Sequence, residues 1–110
     1  MKRVEAPSYP ISIFIAGSAL GAAQCCREYC DKLGFCVTVT KTRYVYTNGE
    51  SSGLVIGLIN YPRFPATPAE LWAHAEHLGA ILRRRLNQES YSIQSPDRTV
   101  WISFHDEDTQ

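Results

Sequence analysis

No phosphate loop of the G-x-x-x-x-G-K-[ST] type and no G-x-G-x-x-G fingerprint occurs in this 110-residue chain, which removes the common nucleotide-binding signatures. The four cysteines, Cys25, Cys26, Cys30 and Cys36, include no C-x-x-C pair, so the usual zinc spacing is missing too. Eleven basic side chains balance eleven acidic ones; with no net charge there is no global field to gather nucleic acid or anionic membrane. The longest apolar stretches, Ile11 to Ala16 and Leu54 to Ile59, are strand-length and far short of the roughly 20 residues of a membrane span. Met1 to Pro10 carries Lys2 and Arg3 but continues into Pro-Ser-Tyr-Pro rather than an apolar signal segment, so the expected location is cytoplasmic.

What is present is an order of periodicities. Ile11 to Ala16 reads as a strand, Gly17-Ser18 as a turn with Ser18 as N-cap, and Ala19 to Leu33 as a helix stopped by Gly34. Phe35 to Tyr46 alternates like a strand, Thr47-Asn-Gly-Glu50 supplies a turn, and Gly53 to Asn60 returns as an apolar strand. Tyr61-Pro-Arg-Phe-Pro-Ala66 is irregular because two prolines remove donors and restrict their predecessors. Thr67, Pro68 and Glu70 form a helix start, and Leu71, Ala75, Leu78, Leu82 and Leu86 then mark one buried stripe. Tyr91 to Gln94 and Thr99 to Phe104 finish as a hairpin or one bent strand. This order predicts an α+β, ferredoxin-like split βαβ fold with two helices on one face of an antiparallel sheet. The expected divisions are an N-terminal extension (1–10), one domain (11–104) and a polar tail (105–110). At this size folding buries roughly two-thirds of the unfolded surface, enough for one core.

On a helical wheel Cys26 and Cys30 share a face with Ala19, Ala22, Tyr29 and Leu33, which predicts buried thiols. Cys25 falls at the edge of that face and Cys36 in a strand, so these two are candidate reactive thiols.

The sheet face away from the helices carries Phe14, Thr38, Thr40, Thr42, Tyr44, Tyr46, Val55, Ile59 and Trp101, an apolar set that predicts a cover, most simply a second copy of the chain. In layout the pattern resembles the dimeric α/β-barrel proteins. Ile13-Phe-Ile-Ala-Gly17 resembles the RNP2 half of an RNA-recognition motif, which implies bases stacked on that same face. The partner strand of that motif needs alternating aromatics, and Gly53 to Ile59 has none, so nucleic acid is not the expected partner. Leu54 to Ile59 is apolar on both sides, as in a strand buried twice.

A second candidate site is the proline-bounded loop and the helix it enters: Tyr61, Arg63, Phe64, Trp72 and His74. Rigid aromatics beside an arginine suit recognition. His74 and His77 are three apart but lack a third ligand, and Arg83-Arg84-Arg85 complements the helix dipole. Gly17 and Ser18 open a helix whose free amides are an anion-binding candidate. No metal or cofactor is implied. The favoured reading is a small intracellular accessory or regulatory protein, of a kind carried by phages, that binds a protein partner as a homodimer through its open sheet. The alternative is a small ferredoxin-like enzyme or small-molecule or nucleotide-binding protein, with its pocket between that sheet face and the Tyr61 to Phe64 loop.

Overall fold

The computed structural model describes residues 1–104. Its elements are β1 (Ile11–Ala16), α1 (Ala19–Leu33), β2 (Thr38–Tyr46), β3 (Gly49–Leu58), α2 (Pro68–Arg85), β4 (Ser90–Gln94) and β5 (Thr99–Ser103). The strands form one sheet in the order β2-β3-β1-β4-β5, with every neighbouring pair antiparallel. This is the ferredoxin-like split βαβ arrangement with a C-terminal hairpin, and both helices pack on one face. The hairpin turn settles the bent-strand alternative: Ser95 N donates to Arg98 O, while the Ser95 hydroxyl accepts from the amides of Asp97 and Arg98. The polar tail, with Asp106, Glu107 and Asp108, lies outside the described residues.

Two strand boundaries differ from the expected ones. β2 begins at Thr38 rather than Phe35, because the amides of Gly34 and Phe35 both bond back to Cys30 O as α1 ends, with Gly34 left-handed at φ 63°. β3 begins at Gly49, since Thr47 and Asn48 alone make the loop. Asn48 takes φ 65° and Tyr46 already pairs with Gly49.

Register follows from the pleat. Ile11, Ile13 and Ile15 sit opposite Leu58, Ile56 and Leu54, and with Ile93 they face the helices fully buried. Leu71, Ala75, Leu78 and Leu82 come down from α2 and Ala22, Cys25, Cys26 and Tyr29 from α1. Removing each large aliphatic from water is worth about 1.5–3 kcal/mol, so this layer dominates the stability. The buried face of α1 is turned by about one position from the expected one: Cys25 is 1 % exposed and lies in the core, whereas Cys30 is half-buried and Leu33 lies largely outside. Helical side chains lean toward the N-terminus, which moves the covered surface along the helix.

The residues assigned to the open face do alternate onto it. Val55 pairs with Phe14 and Thr40, and Trp101 with Ser92. β3 is not buried on both sides within the chain, since Val55 is half-buried and Ile59 exposed. Between the aromatics stand Ser12, Gly53, Gly57, Ser92 and Gln94. Among the described strand residues on this face none is charged, because Lys41, Arg43 and Glu50 point to the helix side.

Candidate functional site

The loop after β3 is anchored at both ends by one side chain. Asn60 donates from Nδ2 to Pro7 O and accepts the Ala66 amide at Oδ1, each at 2.8 Å. The segment before β1 is thereby tied to the start of α2. Tyr61 and Phe64 stack at 5.3 Å between ring centroids, and the Cys36 thiol donates to the Tyr61 hydroxyl at 3.3 Å. Arg63 is exposed at the loop tip, facing a hollow shared with Lys2, Val4 and Pro62.

Trp72 and His74 do not join that loop. Two residues apart on a helix they point in different directions. Trp72 lies under the Arg98 guanidinium, 4.1 Å from ring centroid to Cζ. His74 stacks on Phe35 at 4.2 Å and its Nδ1 is 2.7 Å from the Tyr29 hydroxyl. The proposed group Tyr61, Arg63, Phe64, Trp72 and His74 is therefore distributed over three separate clusters. His77, exposed, touches the other side of Tyr29.

Beside the loop lies a cleft of about 400 Å³, bounded by Tyr9, Asn60, Pro65, Ala66, Thr67 and Glu70. Its volume is in the range of small-molecule sites. The position differs from the expected one: the cleft is formed with the N-terminal segment and the first turn of α2 instead of the open sheet face. The reason is Asn60, which folds the loop toward Pro7. The walls are mostly apolar, and the polar groups are nearly all engaged. The Tyr9 hydroxyl donates to Asp97 at 2.6 Å. A capping box joins Thr67 and Glu70: Thr67 N donates to Glu70 Oε1 at 2.8 Å and Glu70 N to Thr67 Oγ1 at 3.1 Å. The Thr67 amide and hydroxyl hold the Glu70 carboxyl below its ordinary range, so at neutral pH it presents a negative charge at the cleft's rim. Glu70 was legible in the sequence only as a cap.

Gly17 and Ser18 line a second, more polar cleft of about 560 Å³ with Lys41, Arg43 and Ser52. Gly17 has φ 131°, a conformation open to glycine, and Ser18 Oγ accepts the Gly21 amide. Lys41 and Arg43 went unnoticed in the sequence because β2 read as an alternating strand whose cations were outside the considered face. Arg43 is paired with Glu50 at 3.2 Å. Gly49-Glu-Ser-Ser-Gly53 matches the letters of the G-x-S-x-G hydrolase elbow, but it lies wholly within β3 and not at a strand-to-helix turn. Ser51 is accordingly not a nucleophile of that type. Among the described residues no three His, Cys, Asp or Glu side chains converge in a way that could hold a metal ion.

The arrangement of seven elements decides the comparison with known structures. The fold is similar to that of a phage SAM lyase. One such lyase, in complex with S-methyl-5'-thioadenosine, superposes with a TM-score of 0.72 over 94 % of this chain and 95 % of its own, at 13 % identity. A phage SAM lyase in its apo state gives 0.68 over 94 % of each chain, at 17 % identity. No family model and no curated protein matches the chain. The likeness to the lyases overturns the reading of a partner-binding accessory protein, since the matched structures are of an enzyme; the small-enzyme alternative is the one they favour. Among the described residues no helix is long and apolar enough to cross a membrane.

Proposed function

We propose that this protein is a small enzyme that cleaves S-adenosylmethionine to S-methyl-5'-thioadenosine. The observation that carries the reading is the match in fold along nearly the whole of both chains with a SAM lyase holding that thioether. The chemistry calls for neither a metal cluster nor a nucleophile elbow. Breaking the bond between sulfur and the γ-carbon of the methionyl fragment sends the electron pair to the sulfonium, which leaves as a neutral thioether and needs no acid. The four-carbon fragment balances by loss of a β-proton or by closure of its own carboxylate onto the γ-carbon.

The cleft beside the Tyr61–Phe64 loop supports this reading. An apolar-walled concavity with one ionised carboxylate, Glu70, complements an adenosyl sulfonium, which is a cation on a largely apolar body. Incubation of the purified protein with S-adenosylmethionine is expected to release S-methyl-5'-thioadenosine above a protein-free control, by chromatography and mass. Glu70→Gln, which keeps the capping box, is expected to weaken substrate binding at least about tenfold. Absence of the thioether above the control overturns the lyase reading, and binding without turnover reduces it to a small-molecule-binding protein.

Self-association through the open sheet belongs to the same proposal. What supports a second copy as the cover is the absence of charge among the described strand residues of that face, so that two copies meet without repulsion or buried unpaired ions. Tyr46 and Trp101, 57 % and 61 % exposed at opposite edges, are the apolar groups it would cover.

A further inference from the structure

Three thiols line one shallow groove between α1 and β2. Cys26 and Cys30 approach from the helix and Cys36 from the segment leading into the strand, with Phe35, Val37 and Val39 completing the walls. Cys26 is buried and its thiol is pushed up to about 12, by burial first and then by Cys25 and Cys30, which makes it inert. Cys30 is half-buried and Cys36 exposed.

Backbone geometry brings the latter two together. At the end of α1 the amides of Gly34 and Phe35 both turn back to Cys30 O, at 2.8 and 3.2 Å, so the chain reverses over the last helical turn. Val37 N–H then faces the Cys30 sulfur. That amide nitrogen is bonded to the carbonyl carbon of Cys36, so the two cysteines adjoin on the same groove. Burial raises the Cys30 thiol, the Val37 amide opposes this, and Cys36 and Asp31 add to it. Cys36 itself donates to the Tyr61 hydroxyl on the loop that walls the cleft.

We propose that Cys30 and Cys36 form a redox modification site, a dithiol that closes to a disulfide when oxidised by a hydroperoxide. Cys36, the exposed member, attacks first: its sulfur bonds to the distal oxygen of the hydroperoxide, the O–O bond breaks, and the departing oxygen takes a proton as water or an alcohol. The sulfenic acid on Cys36 is then attacked by the Cys30 thiolate; the S–S bond forms and the hydroxyl leaves as water. Both sulfurs are oxidised and the peroxide is reduced. Closure removes the Cys36 donor from Tyr61 and so frees one tie of the loop.

The oxidation is independent of the lyase reading and is tested without substrate. The reduced protein is treated with limiting hydrogen peroxide, alkylated before unfolding and digested. A loss of two mass units and a cross-linked Cys30–Cys36 peptide are expected, reversed by dithiothreitol. Cys30→Ser is expected to leave Cys36 as a sulfenic or over-oxidised acid with no intramolecular link, and Cys36→Ser to lose the reaction at Cys30. Oxidation of Cys36 in the wild type without the link, or a link involving Cys25 or Cys26, overturns the proposal. Since Cys36 is exposed and Cys30 only half-buried, circular dichroism of each serine variant separates loss of reaction from loss of fold.

Discussion

Glu70 shows how one side chain serves a helix and a cleft at once. Its carboxylate is lowered by the Thr67 amide and hydroxyl, and Glu28 is lowered by its two-pronged pairing with Arg85 at 2.9 and 3.0 Å, which ties α1 to α2. A carboxyl lowered in the folded state contributes stability that is complete above its ordinary value of 4.5 and is lost as pH falls through the folded-state value. Glu70→Gln retains the cap geometry but does not titrate. Its thermal midpoint is therefore expected to lie below the wild type at pH 7, where the charged carboxylate contributes, and to converge with it as pH falls below 4.5. Calorimetry from pH 7 to pH 2.5 checks this, and parallel curves would remove the linkage. Glu70 was visible from sequence as a cap, since Thr-Pro-x-Glu is a local pattern. Its place on a cleft was not, because that depends on Asn60 reaching Pro7, fifty-three residues earlier.

Among the elements, β3 is the one whose sequence and structure most need each other. Gly53 sits where the Tyr44 ring crosses the open face to bring its hydroxyl to Leu54 O at 2.5 Å. A Cβ there would meet the Tyr44 ring and come 2.6 Å from Ile15 O and 2.9 Å from the Ala16 Cα. A flexible side chain can step aside; two neighbouring backbone atoms cannot. Gly53→Ala is therefore expected to destabilise the protein by about 1–3 kcal/mol, read as a lower urea midpoint at unchanged slope. Serine at position 52, exposed on the other face, is the control, and its alanine variant is expected to change stability by no more than about 0.5 kcal/mol. Equal stability of Gly53→Ala and wild type would show that β1 and β3 do not approach as described.

At the scale of the whole molecule, two helices cover one side of a five-stranded sheet, and the described strand residues of the other side carry no charge. Sedimentation at high micromolar concentration is expected to give a mass at least twice that of one chain. Tyr46→Asp is expected to return it to a single chain, by placing an unpaired charge in the contact. A wild type that stays at the mass of one chain would remove the association. Tyr46 is 57 % exposed and makes its close contact with Gly49, so this substitution tests the contact with limited effect on the core.

By itself the sequence determined the element order as far as the C-terminal hairpin, the antiparallel layer with its helices on one side, the capping of both helices and the α2 stripe from Leu71 to Leu82. Each of these rests on local periodicity or a local hydrogen bond, which neighbouring residues specify without reference to the rest of the chain. Only the tertiary structure decided where chemistry could gather. It separated Trp72 and His74 from the loop they follow, brought Lys41 and Arg43 to Gly17, set Cys30 beside Cys36, and turned the loop toward Tyr9 rather than the open sheet. Such meetings depend on how elements distant in the chain close upon each other. A helical turn of 3.6 residues or a strand repeat of two says which way a side chain points, and nothing about what arrives to meet it.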